Sequence, residues 1–300
     1  MNTHAASHRS GPSGRVVERI SAWPFLVAAL ISLAGLVLSY RFFVETATGQ
    51  FIDESALVEA VVARQRIGTQ TAQVLDYLPA TSVVLATLVV LFVTLARRRW
   101  KAAGIAIAAM AAANLSTQLI KALLPDRPEL GVNTLALNSL PSGHSTLAAS
   151  AAAAVFLVVS PRWRPAAAFV GGSYAIVAGM STLINQWHRP ADVVAAFFVV
   201  AFWTALAAHV VMRSGSRWNV WLGSGEHWAS RRWWTALAAL LAVLALASGA
   251  LIYSSVMGAE DTSTTSFFLV GVCLIIAVGY GLTFASTLLV TLPVRRRSFR

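Results

Sequence analysis

His144 and His188 are the histidines whose neighbours could put them to work. His188 stands four residues before Asp192, with Arg189 and Pro190 between them. Proline is favoured at the first position of a helix, so a helix starting near Pro190 would carry both side chains at its mouth. A carboxylate on one ring nitrogen fixes the tautomer and leaves the other nitrogen to attack or to bind a proton. Standing alone, such a pair is most simply a helix cap. His144 closes the stretch Asn138-Ser139-Leu140-Pro141-Ser142-Gly143-His144, just ahead of an apolar run from Leu147 to Val159. Pro and Gly punctuate a loop there, and Ser142 is a natural N-cap for the helix that follows. The unpaired N–H groups and the helix dipole make that end attractive to an anion.

Two cations join this set. Lys121 and Arg127 flank Ala122-Leu123-Leu124-Pro125-Asp126 at the end of an apolar run. A cation beside a bilayer is expensive unless it snorkels, pairs or serves a site. Arginine offers a planar fork and lysine a point charge, so together they suit a tetrahedral anion.

The elements that must position these residues are membrane helices. Of 300 residues, 57% are hydrophobic and only 12% are charged, against roughly 25% charged in a soluble domain. Apolar runs long enough to cross a bilayer are expected at about 22–44, 78–96, 102–124, 144–160, 166–186, 191–212, 235–255 and 267–292. The first is longer than the core of a secretory signal and is followed by Arg41-Phe42-Phe43 rather than a small-residue cleavage site, which marks it as a retained span. The expected fold class is therefore all-α, a polytopic membrane bundle of about eight helices, six forming a core and two appended. A separate surface helix is expected within 45–77, where Leu57, Val58, Val61 and Val62 recur at helical spacing.

The net charge of +11 would suit nucleic acid, but its placement between apolar runs is the pattern that orients membrane helices. With a cytoplasmic N-terminus, 17 of the 23 basic residues fall on the inner side. That orientation puts Lys121–Pro128, Pro141–His144 and Ser181–Asp192 together on the extracytoplasmic face. The one cysteine, Cys273, lies in an apolar run and excludes intrachain disulfides and thiolate metal sites.

These residues resemble the type-2 phosphatidic acid phosphatase superfamily, integral-membrane relatives of bacterial acid phosphatases and vanadium haloperoxidases. The family carries a basic motif ending in Arg-Pro, then Pro-Ser-Gly-His, then a motif with Ser-Arg and His-x3-Asp. Arg127-Pro128, Pro141–His144 and the pair His188 and Asp192 match in that order, within about residues 78–212. Two positions depart. Five residues separate Lys121 from Arg127 where the pattern has six, and Thr182 follows Ser181 where the pattern has arginine. Arg189 is the candidate to supply charge in its place.

The resemblance implies a phosphatase in which His188 attacks phosphorus to form a phosphohistidine. Asp192 would orient it, and His144 would protonate the leaving oxygen and then activate water. Lys121, Arg127, Ser142, Gly143, Thr182 and Arg189 would form the phosphate-binding set. It implies no metal or other cofactor, and a lipid phosphate or polyprenyl diphosphate as substrate. Alternatives are a transferase passing the phosphoryl group to another alcohol, and a catalytically weak lipid-binding or scramblase protein. An intramembrane serine protease using Ser142 or Ser145 with His188 would leave Lys121, Arg127 and His144 unexplained.

The expected organisation is a disordered cytoplasmic tail over 1–21 and a six-span core over 22–212 with its motifs within 121–192. A Trp- and Arg-rich interfacial segment follows over 213–234, then two further spans over 235–292 and a basic tail over 293–300. Both termini are placed in the cytoplasm, with a bacterial plasma membrane as the expected location. Besides the bilayer and substrate, no nucleic-acid or protein partner is evident.

Overall fold

The computed structural model describes residues 20–133, 138–214, 227–257 and 265–292. The polar N-terminal tail, most of the interfacial segment including Trp218 and Trp221, the loop 258–264 and the basic tail 293–300 lie outside the described residues. Eight α-helices are present among those described: α1 Trp23–Phe43, α2 Ala47–Arg97, α3 Trp100–Leu123, α4 Gly143–Val158, α5 Arg164–Ile184, α6 Pro190–Ser214, α7 Trp233–Met257 and α8 Ser266–Thr291. Seven are long and apolar enough to cross a membrane, and α4, at 16 residues, is shorter. The chain is thus an all-α, polytopic membrane bundle.

α6 lies at its centre, packed on α1, α3, α4 and α8. In its most apolar stretch 61% of residues are buried, against 11% in α7, which packs mainly on α8 and presents the rest of its surface outward. Small residues let the helices approach closely. A Cβ on Gly271 of α8 would come within 2.6 Å of Pro190 Cγ and 3.2 Å of Ala56 Cβ. One on Gly49 would meet the Phe42 carbonyl at 1.9 Å, where α1 turns into α2.

α2 departs from the sequence expectation. The surface helix of 45–77 and the span of 78–96 are one continuous helix of 51 residues, roughly 77 Å long at 1.5 Å per residue. That is more than twice the ~30 Å hydrocarbon core. Thr46 caps its start, its hydroxyl oxygen accepting from Gly49 N at 3.0 Å. Arg98, at φ 52°, ends it in the left-handed region. Its first half roofs one end of the bundle. Asp53 reaches the start of α6, Glu59 Oε2 accepts from Phe268 N at the start of α8, and Thr71 meets Asn185 at the end of α5. Its second half then runs down beside α4 and α5, with Leu75 and Leu78 against Ala148 and Ala178, and with Ser82 bonded to Tyr174.

At the opposite end, Arg99 donates to the Val158 carbonyl that closes α4. The described aromatics of the interfacial segment form a chain of ring contacts. Trp163 packs on His227 and Trp228, Trp228 on Trp234, and Trp234 on Trp233. This fastens α7 to the start of α5 with rings suited to the headgroup level.

Candidate active site

The roofed end gathers the C-termini of α3 and α5 and the N-termini of α4 and α6. α4 begins as its sequence demands. Ser142 is the N-cap, and its oxygen accepts from Ser145 N at 3.3 Å and from Ser145 Oγ at 3.0 Å. The first N–H groups of the helix, on Gly143 and His144, find no protein acceptor among the described residues. Apart from its chain neighbours and its own helix backbone, no atom of the described residues lies within 4 Å of where a Gly143 Cβ would stand. An uncrowded helix N-terminus is the form an anion cradle takes. The Ser142 N–H donates to the Asp192 carbonyl at 2.9 Å, binding the start of α4 to the start of α6.

Asp192 is the hub. It is fully buried in the first turn of α6, and its Oδ2 accepts from Ser139 Oγ at 2.5 Å, from Arg189 N at 3.1 Å and from His188 Nδ1 at 3.2 Å. Its Oδ1 has no hydrogen-bond partner among the described residues. A neutral imidazole that donates Nδ1–H to Asp192 carries its lone pair on Nε2. Half-buried His144 lies within electrostatic reach of both His188 and Lys121 and in ring contact with Trp187.

The turn before His188 is held from two sides. From below, the Thr182 carbonyl accepts from Trp187 N at 2.9 Å and His188 N at 3.3 Å. From above, α2 grips Gln186, whose side chain donates to the Leu57 carbonyl at 3.0 Å and accepts from Arg64 at 3.1 Å. Gln186 sits at φ 61°, a region non-glycine residues avoid unless their surroundings hold them there. The Thr182 hydroxyl donates to Gly179 O at 2.7 Å within its own helix, so this side chain is engaged below the site.

The cations divide. Lys121 Nζ makes no hydrogen bond or ion pair to a carboxylate among the described residues and lies within electrostatic reach of Asp192. Arg127 and Arg189 are both buried and both paired with α2. Arg127 bonds Asp53 at 2.8 Å with neither side chain exposed, while its Nε has no hydrogen-bond partner among the described residues. Arg189 Nε bonds Glu54 at 2.6 Å. Asp53 has a second task, its Oδ1 accepting from Ala191 N at 2.9 Å. A carboxylate there is favoured by the α6 dipole.

The structure thus brings Lys121, Arg127, Ser142, Gly143, His144, His188, Arg189 and Asp192 to one end of the bundle. It adds Asp53, Glu54 and Ser139, which sequence reasoning passed over. Asp53 lies 74 residues before Arg127 and Glu54 135 before Arg189, so no local pattern announces either pair. Their adjacency on a helix rich in apolar positions was the available signal.

Fold and site together define a class: a polytopic helical membrane protein with a histidine–aspartate pair and a helix N-terminus under one roof. Residues 102–217, which hold α3 to α6 and every motif residue, match the family model of the PAP2 superfamily. No curated protein and no solved structure matches the chain.

Proposed function

We propose that the protein is a membrane phosphatase acting on a phosphate-bearing lipid, a lipid phosphate or a polyprenyl diphosphate, through a phosphohistidine on His188. The observation that carries this reading is the Asp192 Oδ2 to His188 Nδ1 contact of 3.2 Å, with His144 within electrostatic reach, which supports Nε2 as the nucleophile. His188 Nε2 attacks phosphorus as the bond to the leaving oxygen breaks, and that oxygen takes the His144 proton. His144 then accepts a proton from water as water attacks the phosphohistidine, releasing phosphate and restoring both rings. Lys121, Arg127 and the N–H groups of Gly143 and His144 face the charge that builds on the equatorial oxygens, the main service a protein gives phosphoryl transfer.

The charge bias along the chain favours an extracytoplasmic site. Trp187, 44% exposed beside His144, suits the headgroup level, where a lipid's phosphate would meet the site with its tail in hydrocarbon. Purified protein should release phosphate from a panel of lipid phosphates, and His188→Ala should abolish it. Equal release by both proteins would remove the assignment. Activity should also survive EDTA; loss in EDTA that a divalent ion restores would refute the metal-independent scheme.

A further inference from the structure

The roof changes the charge that this end of the bundle offers. Among the described residues, the cations withdrawn from solvent here are Lys121, Arg127 and Arg189, and the carboxylates among them are Asp53, Glu54 and Asp192; Arg64, Asp126 and Glu129 at the same end are exposed and screened by solvent. Three stand against three. Arg127 and Asp53 are wholly buried, and the Arg189–Glu54 pair is 4% and 12% exposed, so solvent does little to screen them. The sum over these groups is therefore near zero once Asp53, whose carboxyl is raised to about 6 by burial and by Asp192, is ionised and before either histidine is charged. A general acid must arrive protonated, and a proton on His144 raises the balance to one positive charge. A phosphoryl group with one negative charge matches it. A dianion would leave one negative charge uncompensated among buried groups, where desolvation makes that expensive.

We propose that Asp53 and Glu54 set the anion selectivity of this site, tuning it to a phosphoryl group with a single negative charge. The inference rests on the phosphatase reading for the role of His144. Arg127 and Arg189 are then held as hydrogen-bond donors whose charge the α2 carboxylates offset, and Lys121 is the fixed cation that answers the ligand. Two substrates present such a group: a phosphodiester, and a monoester that has picked up a proton. The monoester loses that proton with a pKa of about 6; the diester has none to lose.

The test uses full-length protein in detergent micelles with a lipid phosphomonoester and its methyl phosphodiester. The ratio of monoester to diester rate cancels titrations that act on both substrates alike, and it is read above the titration of Asp53, which changes the charge of the site itself. The ratio should fall about tenfold per pH unit above ~6, and a ratio flat or rising with pH would overturn the proposal. Diester turnover equal to or above monoester turnover at pH 8 would name the diester; with an inert diester the monoester rate is read by itself, a rate confined to the acid side naming the protonated monoester and one undiminished at pH 8 overturning the proposal.

Calorimetry with inorganic phosphate at pH 8 reads the charge directly, without turnover. Glu54→Gln keeps an acceptor for Arg189 and removes the negative charge, so phosphate should bind about tenfold more tightly, while Glu54→Asp should stay near wild type. Unchanged or weaker binding in a folded Glu54→Gln would overturn the proposal. A purely structural Glu54 predicts loss, never gain. Absence of turnover on both lipids would defeat the phosphatase reading and leave the calorimetric result to judge the selectivity.

Discussion

At the scale of single residues, the site turns on which side chains face the reacting group and which support those that do. Asp192 supports. It holds His188, Ser139 and the Arg189 N–H at once, and Asp192→Asn should lower kcat at least about 100-fold, the lower range of acid–base contributions. Protein abundance and helicity checked alongside should remain near wild type. Thr182 supports differently. Its hydroxyl is bonded to Gly179 O and its carbonyl carries the turn, so Thr182→Val should cost about 1 kcal/mol of stability and leave KM within about threefold. A large rise in KM would instead put that hydroxyl against the phosphate. Much of this was legible in the sequence, because capping and His-x3-Asp spacing are local. Ser142 needed only the apolar run after it to be placed as an N-cap. Arg189 shows the limit, since its partner Glu54 comes from a helix 135 residues away and only the folded chain introduces them.

At the scale of elements, seven helices fall close to the apolar runs that announce them, and α2 does not. Arg64, Gln65, Arg66, Thr69, Gln70, Thr71 and Gln73 interrupt its apolar pattern, and Pro79 reads as a break. The helix continues through both. A proline inside a helix removes one hydrogen bond, at a cost of about 3 kcal/mol, and the contacts of Leu75, Leu78 and Ser82 with α4 and α5 flank that point. The polar stretch is not solvated loop either, since Arg64 and Thr71 bond the end of α5. Helix spacing is the sensitive quantity here. Gly271→Leu would drive a side chain into Pro190 and Ala56. It should lower the melting temperature in detergent and reduce turnover, because Pro190 opens the helix that carries Asp192. Overpacking of this kind typically costs about 1–3 kcal/mol.

At the scale of the whole molecule, the distribution of charge gives the bundle an orientation to test. Asp126 and Arg162 are exposed at opposite ends. In a Cys273→Ser background, Asp126→Cys should react with a membrane-impermeant maleimide in intact cells, and Arg162→Cys only after permeabilisation. The reverse pattern would put the site in the cytoplasm.

The length of α2 has a mechanical side. The same unbroken rod that crosses the bilayer also grips Gln186, two residues before His188, and holds Arg127 and Arg189, so it works as a lever with its short arm in the lipid. Helices answer a thinner or thicker bilayer by tilting, and any tilt of the lower arm must be taken up by the upper one or by the helix near Pro79. Turnover in nanodiscs should accordingly vary with lipid chain length, with Pro79→Ala steepening that dependence as the joint stiffens. A thickness-independent rate would mean that the roof is decoupled from the span. A membrane-bound site built this way would report on the bilayer that holds it.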